Sequence, residues 1–275
     1  MERKLYLECY AGISGDMFVA SLIDLGVEPQ YLIDELKKLN LKGYEIKIGR
    51  RKKMTLDACD FDVILEVDNH DHDMNYLHGK DDNLHTPENA HAHSHNHAHK
   101  HEHHHEHRHL KDIQTIIESS TISDKAKQIS LKIFDIIATA EAKSHGVDKE
   151  SVHFHEVGAV DSIVDIVSAG ICLDKLQIGE VICSSLSEGK GTVRCQHGKI
   201  PIPVPAVTNI AIEHGLKLHL TDVQGELITP TGAGIIAAIK TQDNLPDTFT
   251  IEKIGIGAGK RQYNIPNVLR AMIIK

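Results

Sequence analysis

Leu5-Tyr6-Leu7-Glu8-Cys9-Tyr10-Ala11-Gly12-Ile13-Ser14-Gly15-Asp16-Met17 is the stretch that decides the fold class. Residues 5–9 read as a short buried strand and residues 11–15 as a glycine-containing turn. An amphipathic helix begins near Asp16. A second helix follows Pro29, with Leu32, Ile33, Leu36 and Leu39 at helical spacing. Residues 44–49 and 58–67 alternate apolar and polar side chains, which predicts two antiparallel strands. A strand, two helices and a strand pair make residues 1–67 an N-terminal α+β unit.

Past residue 67 the periodicity stops. Of the 21 histidines, 15 lie between His70 and His109, among Asp, Asn, Ala, Glu and Lys. With so few apolar side chains to offset the entropy of ordering, residues 68–109 are expected to be a disordered His-rich insertion. Helical spacing resumes at Leu110 and runs through Ile129, Ile133, Ile136, Ile137 and Ala140; another helix is expected from about residue 159 to 176. A strand at 181–183 and an extended link marked by Pro201, Pro203 and Pro205 follow. Helices are expected at 206–214 and after Thr229-Pro230, where proline suits the first helical position. Strands at 248–256 and 267–274 close the chain. The expected class is α+β, mixed sheets with several packed helices, residues 110–275 sharing one core with residues 1–67.

The bulk numbers narrow the function. At 275 residues, 41% hydrophobic and 25% charged, the chain is an ordinary soluble composition with room for a sizeable core. Trp is absent and aromatics are 4%, so the core rests on Ile, Leu, Val and Ala. A net charge of −9 argues against nucleic acid as partner. No apolar run approaches the roughly 20 residues of a membrane span, and the charged start does not resemble a signal peptide. Cys9, Cys59, Cys172, Cys183 and Cys195 are odd in number, with no C-x-x-C pair, which fits reduced thiols in a cytoplasmic protein.

Chemistry concentrates in His153-Phe154-His155-Glu156-Val157-Gly158-Ala159-Val160-Asp161-Ser162-Ile163-Val164-Asp165. In an extended segment His153 and His155 project to one side; in a helix starting near residue 159 Asp161 and Asp165 share one face. With Glu156 they form a ligand set suited to Zn, Ni, Mn or Fe. The competing reading makes Asp161 a helix-dipole partner and the histidines surface residues. His91, His93, His95, His97, His99, His101 and His103 alternate with small or polar residues, ahead of His104, His105, His107 and His109. Imidazoles in that number suit Ni, Cu or Zn in interchangeable geometries, which favours storage or delivery over catalysis.

Two glycine-bearing helix starts are anion-site candidates. Gly12, Ser14 and Gly15 precede one helix, and Thr229, Thr231 and Gly232 open another. Asp16 stands where a serine-hydrolase elbow requires glycine, which removes that activity; Ser14 or Asp16 as a plain cap is the competing reading. Gly255-Ile-Gly257-Ala-Gly259-Lys260-Arg261 sets glycines beside two cations and is a further phosphate-site candidate, with a strand bulge as the competing reading; it is not a P-loop, since Ile254 and Arg261 occupy positions that the motif gives to Gly and Ser/Thr.

Taken in order, Gly12-Ile-Ser-Gly-Asp-Met17, the His-rich insertion, the 153–165 segment, Leu227-Ile-Thr-Pro-Thr-Gly232 and Pro266-Asn-Val-Leu-Arg270 resemble the LarC family across nearly the whole chain. These are the nickel-insertion proteins that mature the nickel-pincer cofactor of lactate racemase. The resemblance implies a nickel chelatase of the lyase type. It would insert Ni2+ into pyridinium-3,5-bisthiocarboxylic acid mononucleotide, coupled to CTP hydrolysis with Mg2+ or Mn2+. Family members continue past Pro-Asn-Val-Leu-Arg into a C-terminal domain associated with CTP binding and oligomerisation, whereas this sequence stops at Lys275. The expectation is an N-terminal portion whose partners are the mononucleotide, a C-terminal half and, in an oligomer, its own copies. Within it the His run captures Ni2+ and passes it to His153, His155, Glu156, Asp161 and Asp165. The phosphate sits near residues 12–16. Asp16, Glu156 or Asp161 takes the proton lost when the ring carbon is metallated. A nickel store without chemistry, and a metal-dependent hydrolase on the same His/Asp set, are the alternatives.

Overall fold

The computed structural model describes residues 3–66, 109–152, 160–183, 185–195 and 198–275. Residues 68–108 of the expected insertion, with its histidines 91–103, and His153, His155 and Glu156 lie outside those residues, while His109 is described and stands at the N-cap of the helix over Leu110–Ser119. One six-stranded mixed sheet organises the rest, in the order β2-β3-β9-β10-β1-β4. Its members are β1 (Arg3–Glu8), β2 (Tyr44–Lys53), β3 (Leu56–Leu65), β4 (Ile178–Ile182), β9 (Ile251–Ala258) and β10 (Val268–Ile274). At its centre β1 runs antiparallel to β10, Leu5 opposite Ile273 and Leu7 opposite Ala271. On the other side β1 runs parallel to β4.

Strand alternation sorts the side chains. Leu5, Leu7, Cys9, Leu269, Ala271 and Ile273 face the main core; Tyr6, Met272, Ile274 and Ile182 face the opposite side, where Leu245 and Phe249 cover them. The main core lies under helices α1 (Gly15–Asp24), α2 (Pro29–Leu36), α3 (Leu110–Ser119), α4 (Asp124–His145), α5 (Val160–Lys175), α6 (Pro205–His214) and α7 (Pro230–Ile239). α1 and α5 rest on the sheet, and α4 packs outside them against α5, α6 and α7. Phe18 and Phe134, both fully buried, anchor this layer; each such side chain contributes roughly 1.5–3 kcal/mol on burial. The class is α+β.

Small residues set how close the layers come. A Cβ at Gly257 would meet Ser21 N at 2.6 Å and one at Gly255 would meet Leu25 N at 2.6 Å, so α1 lies with its backbone directly on β9. Gly170 gives α5 the same freedom against α4, where a Cβ would stand 2.7 Å from the Ala126 carbonyl.

Several elements differ from expectation. The helical run from Leu110 divides at residues 120–123, where Ser123 caps α4 by accepting the Ala126 N–H at 3.1 Å. β5 (Leu186–Lys190) pairs in parallel with β8 (Leu218–Gln224), and β6 (Thr192–Cys195) with β7 (Gly198–Pro201) in a hairpin. None of these four strands was expected from the sequence. Among the described residues no helix is long and apolar enough to cross a membrane.

Candidate functional site

Three chain segments meet where α1, α5 and α7 begin. Residue 13 leaves the turn after β1 and pairs with the segment before α7: Ile13 N donates to Leu227 O at 2.9 Å, and Thr229 N donates to Ile13 O at 3.1 Å. Gly12, at φ +80°, makes this approach possible, since a Cβ there would sit 2.6 Å from the Leu227 Cβ. From the other side Gly232 closes on the Ile13 carbonyl carbon, where a Cβ would come within 2.7 Å. The pairing sets the start of α1 against that of α7.

Gly15 brings the third segment in. A Cβ on it would stand 2.9 Å from Asp165 Cβ, 2.9 Å from Thr231 Cγ2, and against the Asp165 carboxylate. The first two turns of α5 carry Asp161 and Asp165, one turn apart. On α1, Asp16 Oδ1 accepts the Met17 N–H at 2.8 Å and the Ser14 hydroxyl. At α7, Thr229 Oγ1 accepts the Gly232 N–H at 3.1 Å. The residues read from sequence as anion contacts (Gly12, Ser14, Gly15, Thr229, Thr231 and Gly232) are therefore brought together, and largely engaged with one another. Asp16 fills the start of α1 with its own negative charge, the arrangement the helix dipole favours.

The electrostatics of this junction are acidic. Burial first, then the neighbouring Asp16 and Asp161, push the Asp165 carboxyl well above the usual carboxylate range, against the pull of Lys260. Burial also raises Asp16, opposed by the Ser14 hydroxyl, Lys260 and the Met17 N–H. A carboxyl raised in this way holds its proton more tightly, and is a place where a proton can be held or displaced. Lys260 Nζ pairs with Asp60 at 2.8 Å and Asp62 at 3.3 Å; Arg51 pairs with Asp60 at 2.8 Å. Lys53, buried, donates from Nζ to the Arg261 carbonyl at 2.8 Å.

Asp60, Asp62 and Lys53 were not among the sequence candidates, and Lys260 was read there as a phosphate contact rather than as the partner of carboxylates. The available signal was the spacing of Asp60 and Asp62 about Phe61, which puts both carboxylates on the face opposite the buried ring. The cations of the 255–261 segment are committed to carboxylates, Lys260 as above and Arg261 to Glu226 at 3.0 Å. Its glycines receive α1. This segment does not fit a triphosphate. Among the described residues no three His, Cys, Asp or Glu side chains converge on a metal position.

The family described as "Nickel insertion protein" matches residues 5–275. The pyridinium-3,5-bisthiocarboxylic acid mononucleotide nickel insertion protein of Alkaliphilus metalliredigens is 54% identical over 276 residues, covering 100% of this chain and 61% of that protein. The protein of the same description from Clostridium acetobutylicum is 50% identical, over 98% of this chain and 64% of its own length. A putative nickel insertion protein of Maridesulfovibrio salexigens is 46% identical over 98% of this chain. The chain thus spans less than two thirds of the first two relatives. No solved structure matches it.

Proposed function

Since this chain belongs to the nickel insertion protein family, we propose that it receives Ni2+ and inserts it into pyridinium-3,5-bisthiocarboxylic acid mononucleotide. The observation that carries the reading is the meeting of Asp16, at the start of α1, with Asp161 and Asp165, in the first two turns of α5, Asp165 being raised by burial and by the other two carboxyls. The segment carrying His153, His155 and Glu156 immediately precedes α5 in the chain.

In this reading the His run at 91–103 gathers nickel, and His153, His155, Glu156, Asp161 and Asp165 take it over. Imidazole and carboxylate form an exchangeable ligand set, so the metal is held long enough to be passed on. A dication arriving beside Asp165 favours the charged carboxylate and expels its proton, making metal uptake pH-dependent. The mononucleotide lies against half-buried Ser14 and Asp16, over the wall formed by Gly12, Gly15, Thr229, Thr231 and Gly232. Its two thiocarboxylate sulfurs and a ring carbon bind nickel, and the ring C–H proton leaves to Asp16, Glu156 or Asp161 as base. Such positioned bases contribute typically 10²–10⁴-fold. CTP hydrolysis with Mg2+ or Mn2+ is assigned to a C-terminal half, because the cations at 260 and 261 are already paired. A cytoplasmic setting and homo-oligomers belong to the same proposal.

The test pairs the chain with a C-terminal half of the family and follows nickel–mononucleotide formation by mass spectrometry. Asp161→Asn and His153→Ala are each expected to lose about 10²-fold or more in rate; normal metallation by both variants rules out this site. Deleting residues 70–109 is expected to slow insertion at scarce nickel and leave it intact at saturating nickel. Loss at both concentrations instead favours a store.

A further inference from the structure

Glu188 lies on β5, fully buried, and is a carboxyl that the insertion chemistry does not use. β5 is irregular there: Glu188 pairs with Leu220, and the next pair is Lys190 with Gln224. Gly189 sits in the break, where a Cβ would stand 2.8 Å from the Val223 carbonyl. A bulge of this kind leaves backbone N–H groups without ladder partners, and a buried N–H must find another. Glu188 Oε1 supplies one to three of them, accepting from Gly189 N at 2.8 Å, Leu227 N at 2.8 Å and Ile228 N at 3.2 Å.

Leu227 and Ile228 are the residues whose backbone holds Ile13. Leu227 O takes the Ile13 N–H, Ile228 bridges Ile13, and Thr229 N returns to Ile13 O. From Ile13 the chain runs directly into Ser14, Gly15 and Asp16, and Gly15 abuts Asp165. One buried oxygen therefore fixes the bulge of β5, the turn before α7 and, through that turn, the placement of Asp16 against Asp165. Without that oxygen the two N–H donors at 227 and 228 would lack the acceptor they share.

We propose that Glu188 is a positioning residue that aligns the carboxyls of the insertion site by binding the 227–228 amides. The inference rests on the proposed reading of Asp161 and Asp165 as carboxyls that take over the metal, with Asp16 beside them as a base. Glutamine keeps a carbonyl oxygen at the position of Oε1, whereas leucine keeps only the volume.

The experiment titrates the full chain with Mn2+, followed by its electron paramagnetic resonance signal, because carboxylates suit Mn2+ while the imidazole run prefers Ni, Cu or Zn. Asp165→Asn marks the metal centre, and Ile274→Ala, on the opposite face of the sheet, controls for general loss of stability. Glu188→Leu is expected to weaken Mn2+ binding about tenfold or more, the usual cost of removing a group that orients ligands. Its circular dichroism should remain that of the parent. Glu188→Gln should restore affinity to within about threefold, and Ile274→Ala should lower the melting temperature without moving the affinity. Parent-like affinity in Glu188→Leu, with binding lost in Asp165→Asn, overturns the role of Glu188 and leaves the metal centre standing. Unchanged binding in Asp165→Asn overturns the metal centre and the inference with it. If Glu188→Leu does not fold, amide exchange of the parent decides: Mn2+ is expected to slow exchange at Gly189, Leu227 and Ile228, and no slowing overturns the proposal.

Discussion

Residues 12–16 and residues 255–261 look alike as sequence, each with glycines close to a charged residue, yet Gly15 in the first and Gly255 and Gly257 in the second face different kinds of atom. At Gly255 and Gly257 the missing Cβ admits backbone: α1 presses its Ser21 and Leu25 amides onto β9. At Gly15 the missing Cβ admits side chains, the Asp165 carboxyl and the Thr231 methyl. Backbone cannot step aside, whereas the Asp165 carboxyl and the Thr231 methyl can rotate, which leaves the 2.9 Å approach to Asp165 Cβ to be relieved by a small shift of α5. A glycine's meaning thus depends on what stands opposite it, and the opposing residues lie far away in the chain.

This contrast can be tested by filling both spaces. Gly257→Ala sets a methyl into the α1 backbone and is expected to cost more than about 4 kcal/mol, beyond the usual range for one substitution. It should be read as loss of the cooperative melting transition, and a melt within a few degrees of the parent breaks the contrast. Gly15→Ala meets the rotatable Asp165 carboxyl and Thr231 methyl together with Asp165 Cβ, and is expected to cost about 1–3 kcal/mol, in the range of overpacking. Its more telling effect is weaker binding of Mn2+, since Asp165 must move. If it shifts melting alone, the junction is only a packing contact.

The smallest effect concerns pH. Asp165 is raised in the folded state, so the folded protein holds its proton at pH values where the unfolded chain has released it. Metal-free stability therefore falls as pH rises from about 4, the unfolded carboxyl range, toward the folded value. Asp165→Asn removes that fall. Without metal, the variant should melt above the parent at pH 7, with the gap narrowing toward pH 4. A gap independent of pH refutes the protonated carboxyl.

The sequence made the central layers legible because they repeat a simple period. Leu5, Leu7 and Cys9 alternate along β1, and α5 carries apolar residues around most of its circumference. It concealed the small sheets. β8 reads Leu-His-Leu-Thr-Asp-Val-Gln and is mostly exposed, so its alternation lacks a buried face to set it. The break before α4 was legible in principle from Ser123 and was masked by isoleucines continuing on both sides. Of the site, Asp16, Asp161 and Asp165 announced themselves beside glycines or within a polar cluster. Asp60 and its pairing with Lys260 did not, because that meeting depends on how β3 lies beside β9, where Cys59 with Gly257 is the one register pair.

The pairing of β1 with β10 bears on how the protein is made. Leu5 waits for Ile273 and Leu7 for Ala271, so the middle of the sheet cannot close until the ribosome has passed both. At about 5–20 residues per second, β1 and α1 spend on the order of ten seconds or more without their permanent neighbour. Contacts this distant in sequence also close slowly. During that interval the apolar face of α1, which includes Met17, Phe18 and Leu22, has no sheet of β9 and β10 beneath it. Exposure of that face during synthesis is the vulnerability this topology creates.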